Sequence, residues 1–214
     1  MFVSDWMTRK VFTVAPDSSV SEAMNLIRSK KIKHIPVVRD DKLKGIVSDR
    51  DIRDYAPSGA TSLDVYELHY LLAKTRVREI MKQGVVTTSS DTPIEEAAML
   101  LHERNIGCLP VVEGGRLVGI ISDRDIFRAL IDITGVRHGG HRISLLVDDR
   151  PGSIREVADI IRKYGFSLQG IMTSYEKVPS GRRHIVIRAN GAGGFAPLKS
   201  ELTGSYQGVR IRKG

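Results

Sequence analysis

The 214-residue sequence predicts an α+β protein built from two copies of a β-α-β-β-α unit followed by a third unit of β-α-β-β-α-β order. Three observations carry this expectation. First, Gly45-Ile46-Val47-Ser48-Asp49-Arg50-Asp51-Ile52 returns as Gly119-Ile120-Ile121-Ser122-Asp123-Arg124-Asp125-Ile126, an offset of 74 residues. Second, the same offset carries Met7 onto Met81, Asp17 onto Asp91, Ala23 onto Ala97 and Pro36-Val37-Val38 onto Pro110-Val111-Val112 without a gap. Such regularity marks duplication of a whole supersecondary unit. Third, charge divides the chain. Residues 1–136 carry 19 Lys and Arg against 19 Asp and Glu, whereas Arg137 onward carries 14 against 6, which accounts for the whole net charge of +8.

Each repeat opens on a short β-rich segment, Val11-Phe12-Thr13-Val14 or Val85-Val86-Thr87-Thr88, followed by Pro, Asp and Ser turn residues. An amphipathic helix comes next, with Val20, Ala23, Met24 and Ile27, or Ile94, Ala97, Ala98 and Leu101, at helical spacing. Its expected caps are Ser18 or Ser19, with Glu22 in the first turn, and Thr92, with Glu95 or Glu96. A strand follows (His34 to Val38; Cys108 to Val112), then a turn (Arg39 to Lys42; Glu113 to Arg116). The second strand ends at Ser48 or Ser122, and Asp49 or Asp123 opens a second helix.

Between the repeats, Pro57-Ser58-Gly59 breaks the chain and Thr61-Ser62-Leu63-Asp64 starts a helix in a capping-box pattern. Leu63, Tyr66, Tyr70, Leu71 and Leu72 are expected to pack back on the pair. After Ile133, Thr134-Gly135 and His138-Gly139-Gly140-His141 read as a hinge-like linker. In the remainder, Arg142–Val147 is a strand, Asp148–Ser153 a turn and Ile154–Tyr164 a helix that Gly165 stops. Phe166–Ser174, Arg183–Arg188 and Val209–Arg212 read as strands, and Phe195–Leu202 as a short helix. That order is the ferredoxin-like arrangement, with two helices on one face of an antiparallel sheet. The expected divisions are 1–56, a linker helix over 57–76, 77–133, a linker over 134–141, and 142–214.

With 41% hydrophobic and 27% charged residues, the composition is that of an ordinary globular protein. No run of about 18 uncharged apolar residues spans a membrane, and Met1-Phe2-Val3-Ser4-Asp5-Trp6-Met7 lacks a signal-peptide layout. The single cysteine, Cys108, reads as a small core residue, and a cytoplasmic, reducing home is expected. His34, His69, His102 and His184 are scattered; His138 and His141 lack a third metal ligand nearby. No P-loop, metal cluster or nucleophile–base motif is visible, so a non-enzymatic protein with no catalytic cofactor is expected.

The repeated Ser-Asp-Arg-Asp lies where an apolar strand meets a helix N-terminus, a place that favours an anion. Ser48 or Ser122 adds a hydroxyl, Asp51 or Asp125 can accept two ribose hydroxyls, and Arg50 or Arg124 can pair with phosphate. An adenine ring needs an apolar slot, which Thr13-Val14 and His34-Ile35-Pro36, or Thr87-Thr88 and Cys108-Leu109-Pro110, could line. Each strand proline removes a ladder donor, consistent with an edge facing a cleft. The plainer alternative stays open: Ser and Asp here are good capping residues, and Asp51 could simply cap the helix or bridge to Arg50 or Arg53.

The two repeats closely resemble CBS domains, whose signature is Gly-hydrophobic-x-Ser/Thr-x-x-Asp after a hydrophobic-Pro strand; Gly45–Asp51 and Gly119–Asp125 match it. The last unit, with Asp149-Arg150-Pro151-Gly152-Ser153-Ile154 after its first strand and Gly165 after its helix, resembles an ACT domain. The order CBS–CBS–ACT is similar to that of the acetoin-utilisation B-type proteins. The resemblance implies a pseudo-symmetric pair with two clefts for an adenosine-containing regulatory ligand (AMP, ADP, ATP or S-adenosylmethionine). It assigns Asp51 and Asp125 to ribose, and Ser48 and Ser122 to ribose or phosphate. Thr13, Thr87, Ile35 and Leu109 would touch the base. For the ACT-like unit it implies dimerisation, or an amino acid bound through the turn with Asp149, Gly152, Ser153 and Ile154. The protein is then a regulatory homodimer coupled to a partner such as a regulated enzyme. The competing reading is a scaffold with vestigial clefts whose basic third unit recruits an acidic protein or nucleic acid.

Overall fold

A computed structural model describes residues 1–55 and 65–213; the sequence expectations at Pro57-Ser58-Gly59 and Thr61–Asp64, with Leu63, lie outside them. The chain divides into two units, Met1–Ile126 and Phe127–Gly214. The first contains α1 (Val3–Trp6), α2 (Val20–Lys30), β1 (His34–Arg39), β2 (Lys42–Ser48), α3 (Asp49–Tyr55), α4 (Val65–Lys74), α5 (Val77–Ile80), α6 (Ile94–Glu103), β3 (Cys108–Glu113) and β4 (Arg116–Ser122). Helix α7 (Asp123–Ile133) begins at the end of that unit. The second unit continues through a 3-10 turn (Val136–His138), β5 (His141–Asp148), α8 (Ser153–Lys163), β6 (Ser167–Ser174), β7 (Arg182–Asn190), α9 (Phe195–Ser205) and β8 (Gln207–Lys213).

The helical phase read from the sequence buries what it should. Val20, Ala23 and Ile27 of α2, and Ile94, Ala97 and Leu101 of α6, are inaccessible or nearly so. Ser19 caps α2 with a full capping box: its hydroxyl accepts from the Glu22 N–H at 3.1 Å, and the Glu22 carboxylate accepts from the Ser19 N–H at 3.0 Å. In the second repeat the expected cap at Thr92 is not one. The cap position is Pro93, 74 residues after Ser19, and proline has no side-chain acceptor. Thr92 instead accepts from the Thr88 hydroxyl at 2.9 Å.

Both hairpins form in the same register, His34 opposite Ser48 and Cys108 opposite Ser122, and each carries a bulge at the equivalent place. Their two-residue turns need positive φ at both positions, which Asp40-Asp41 adopt at 53° and 58° and Gly114-Gly115 at 54° and 80°.

The expected strands at residues 11–14 and 85–88 shrink to single parallel bridges, Val14 to Val37 and Thr88 to Val111. The prolines explain this. Val14 donates to the Pro36 carbonyl and accepts from Val38, so the next rung would require an N–H that Pro36 lacks. Thr88 stands in the same relation to Pro110 and Val112.

An exchange of segments between the repeats was not visible in the sequence pattern. The N-terminal stretch bonds to the second repeat: the Val3 N–H donates to Thr92, Ile94 donates to Met1, and Thr8 bridges Ile120. Seventy-four residues later, Val77 donates to Ser18, Val20 donates to Thr75, and Lys82 bridges Ile46. Val77 lies fully buried in the core of the first repeat, with Val20, Ile35, Val47 and Leu72. Each such side chain contributes about 1.5–3 kcal/mol by leaving water. Helix α4 contributes Leu72 only from one side: Tyr66 and Tyr70, expected to pack back, are 82% and 63% exposed. They share a face at i and i+4, whereas Leu72 falls roughly opposite.

The second unit is a four-stranded antiparallel sheet in the order β6-β7-β5-β8. Ile143, Leu145 and Val147 of β5 and Ile185 and Ile187 of β7 face Val157 and Ile161 of α8 and Leu198 and Leu202 of α9. This is the ferredoxin-like arrangement. Strand β5 begins one residue earlier than expected: His141, placed in the linker from sequence, stacks on Phe195 at 4.0 Å and meets the edge of Phe166. Gly165, at φ 81°, ends α8 by donating to Arg162.

Candidate functional site

The strand-to-helix junctions place Ser48 and Asp51, and Ser122 and Asp125, in direct contact. The Asp51 carboxylate accepts from the Ser48 N–H at 2.8 Å and from its hydroxyl at 2.5 Å, and the Asp51 N–H donates back to that hydroxyl at 3.2 Å. Asp125 accepts from the Ser122 N–H at 3.0 Å and its hydroxyl at 2.8 Å. The first pair is a capping box closed by a carboxylate, and the second repeats its carboxylate half. The plain local role of each carboxylate is realised in both copies, and a ligand would share the carboxylate with its serine.

The cation beside Asp51 is neither Arg50 nor Arg53. Lys82, carried in from the second repeat by the exchanged segment, stands 3.0 Å from the other Asp51 oxygen. Arg50 and Arg124 point to solvent, and Arg53 pairs with Asp49 at 3.0 Å. Burial pushes the Asp51 carboxyl up, but the Ser48 hydroxyl and N–H together with Lys82 outweigh it and hold it below the ordinary range. Sequence reasoning missed Lys82; the available signal was its offset from Thr8, whose backbone bridges Ile120 as Lys82 bridges Ile46. The signature glycines allow this crossing. A Cβ on Gly45 would lie 2.7 Å from the Lys82 carbonyl oxygen, and one on Gly119 would lie 2.5 Å from the Met7 sulfur.

The other residues expected beside the first junction are brought together by register. His34, Ile35 and Pro36 run opposite Ser48, Val47 and Ile46, and Thr13 precedes the Val14 bridge to this strand. Ile35 is fully buried, so its side chain supports the wall, while His34 stays half-buried. Burial pushes the His34 imidazole below its ordinary value, against the pull of Asp123 and Asp51. In the second repeat, Cys108, Leu109 and Pro110 are buried. Burial, and then Asp123, push the Cys108 thiol up to about 12, so it is neutral near pH 7. An open groove of about 280 Å³ lies beside Lys44 and Val112, and of the expected binding residues it includes Thr87 alone.

In the second unit the expected amino-acid turn is occupied by its own neighbours. The Ser153 hydroxyl is buried and accepts from Arg183 at 2.9 Å, and Asp149 accepts from the Tyr175 hydroxyl at 3.4 Å. Gly152 takes φ 88° at the start of α8, and Ile154 packs against the core. Among the described residues, no three His, Cys, Asp or Glu side chains converge as a metal site, and no helix is long and apolar enough to cross a membrane.

A duplicated α+β module that exchanges N-terminal segments and repeats one Ser-x-x-Asp junction defines the class of protein. The chain belongs to the CBS domain family, whose model matches residues 3–58 and 77–132. A CBS domain-containing protein of Dictyostelium discoideum is 33% identical over 141 residues, covering 62% of this chain and 93% of that protein. Of a longer relative, an inosine-5'-monophosphate dehydrogenase of Thermoplasma acidophilum (34% identical over 119 residues, 55% of this chain), the chain spans 21%. Among solved structures, a Vibrio cholerae chain provisionally named an acetoin utilization protein (AcuB) is 31% identical, with a TM-score of 0.55 over 64% of this chain and 96% of that one. CBSX2 in complex with AMP is 34% identical, with a TM-score of 0.51 over 62% of this chain and 97% of that one; CBSX2 comes from Arabidopsis thaliana. The CBS pair of MJ0100, in complex with 5'-methylthioadenosine and S-adenosyl-L-methionine, is 28% identical, with a TM-score of 0.50 over 61% and 95%. The family match ends at residue 132, and the four-stranded sheet unit lies beyond it.

Proposed function

We propose that this chain is a non-enzymatic regulatory protein whose CBS pair senses an adenosine-containing ligand. The observation that carries the reading is the duplicated Ser48–Asp51 and Ser122–Asp125 junction, each with a carboxylate held where a strand meets a helix. Ribose hydroxyls would take the carboxylates and the base would lie along Thr13 and His34–Pro36, or Thr87 and Cys108–Pro110. The reading is supported by the complexes of CBSX2 with AMP and of the MJ0100 CBS pair with 5'-methylthioadenosine and S-adenosyl-L-methionine. The C-terminal sheet unit acts as an ACT-like assembly module; inward engagement of Ser153 favours dimerisation over amino-acid capture there. Signalling requires the ligand to bind two arrangements of the protein unequally.

Calorimetric titration with AMP, ADP, ATP, S-adenosylmethionine and 5'-methylthioadenosine tests this reading. Binding of at least one, with Asp51→Ala and Asp125→Ala each removing one binding event, is the expected result. Wild-type binding in both variants would sink the site assignment.

A further inference from the structure

The face of the second unit's sheet away from its helices carries a row of like charges with no counter-ion among the described residues. Cross-strand register sets Arg188 of β7 opposite Arg142 of β5, and Arg142 opposite Arg212 of β8; Arg210 lies two residues along, opposite Ser144. These positions alternate with Ile143, Ile187 and Ile211, which face the helices, so the arginines share the other face. None of the four makes an ion pair among the described residues. The acid on this face, Asp148, is held at the far end by Arg182 at 3.4 Å. Arg210 and Arg212 are exposed and Arg142 is half-buried.

Arg188 is the most telling member. It is 8% exposed, and its guanidinium donates to the Gly139 carbonyl at 3.1 Å with no carboxylate beside it. Like charges directly opposite in a sheet are destabilising, and a buried charge is costly without a partner. A row of three guanidinium groups therefore gains most from an anion that reaches across strands. Three neighbouring strands span about 10 Å, which matches two or three linked phosphoryl groups better than a single phosphate. Guanidinium forks are well suited to phosphate oxygens. Among the described residues this face carries no Phe, Tyr or Trp, so it lacks the stacking platform that single-stranded nucleic acid uses.

The geometry points to an oligophosphate-binding site on this face, built by Arg142, Arg188, Arg210 and Arg212. Its ligand is inorganic pyrophosphate or the phosphate tail of a nucleotide. The site belongs to the second unit, and the proposal does not rest on the nucleotide sites proposed above.

Isothermal titration of the full chain with pyrophosphate and tripolyphosphate tests it, with thermal shift as a second readout. The expected result is saturable binding that Arg142→Gln and Arg212→Gln each weaken at least tenfold, while Asp51→Asn/Asp125→Asn leaves it unchanged. Should Arg188→Gln fail to fold, the two less buried variants still decide. Arg212→Glu should raise Tm in the absence of anion and abolish the pyrophosphate response. Comparison of ADP with pyrophosphate in the Asp51→Asn/Asp125→Asn background separates the two sources, and binding of either supports the site. Absence of binding by both probes, affinities unchanged in Arg142→Gln and Arg212→Gln, or tighter binding of a single-stranded oligonucleotide at equal phosphate concentration would overturn the proposal.

Discussion

The two repeats build the same junction and then furnish it differently. In the first, Asp51 is held by Ser48 and by Lys82 of the exchanged segment. In the second, Ser122 holds Asp125, and the position equivalent to Lys82 is Thr8, which brings no charge. Duplication preserved the serine–carboxylate contact, the hairpin register and the glycine under the crossing strand. It did not preserve the residue delivered by the crossing strand. A ligand at the first of the proposed sites would meet a carboxylate already ion-paired to the other repeat, which would link binding to the contact between repeats. The difference teaches that duplicated junctions need not be equivalent.

The largest expected effect concerns the crossing itself. Gly45→Ala drives a methyl to within 2.7 Å of a backbone carbonyl, whereas Gly119→Ala meets first the sulfur of Met7, a side-chain end that can move. Overpacking of this kind costs about 1–3 kcal/mol; urea denaturation should put Gly45→Ala near the top of that range and Gly119→Ala near the bottom. Equal losses would show that both crossings are equally rigid.

Exchange of the distinguishing residues comes next. Lys82→Thr should strengthen adenosine binding at the first site about fivefold, since an ion pair whose lysine is largely exposed is worth about 1 kcal/mol. Thr8→Lys should weaken binding in the second cleft. Titrations in Asp125→Ala and Asp51→Ala backgrounds isolate each cleft, and unchanged affinities in both swaps would remove Lys82 from the account.

The pH response separates the repeats further. Asp51's carboxyl is lowered in the folded state, so its contribution is complete above about pH 3.9 and is lost as pH falls toward the folded value. Lys82→Thr should shorten that window, because Lys82 is one of the groups that lower it. His34's imidazole is also lowered, so the unfolded chain takes up the proton first. Stability is then complete above about pH 6.5 and declines as pH falls through that region. His34→Gln should flatten part of this decline in a pH series of melting curves, while the second repeat, with neutral Cys108 at that position, contributes nothing to it. An undiminished slope in His34→Gln would assign the decline elsewhere, His141 being the first alternative.

The smallest effect lies in the turns. Asp41→Gly relieves a positive φ that the second repeat already satisfies with Gly115, and should stabilise by a few tenths of a kcal/mol to about 1 kcal/mol. A loss of stability would mean that Asp41's side chain contributes more than its backbone strain.

Much of this was legible in local pattern. The spacing of Val20, Ala23 and Ile27 placed α2 and its buried face, and the alternation along β5 and β7 placed the second sheet, because side-chain period and burial are short-range properties. Ser48 and Asp51 could be paired from sequence, since three residues at a helix start must meet. Their third partner could not. Lys82 and Asp51 are separated by 31 positions, and only the exchange of N-terminal segments brings them to 3.0 Å. The constant offset of Val3 from Val77 held a trace of that exchange, but an offset does not say which repeat a segment joins. Pro36 was read correctly as a missing donor, yet its effect in cutting a strand to one bridge depended on which neighbour its nitrogen faced.

The sequence by itself therefore determined the duplicated helices and hairpins, the Ser19–Glu22 cap, the third unit's strand order along the chain and its excess of positive charge. Tertiary structure alone decided which carboxylate met a lysine and which arginines lined up across three strands. The physical reason is the same in both cases. Periodicity reports one element's face, whereas the neighbours on that face come from register and crossing between segments far apart in the chain.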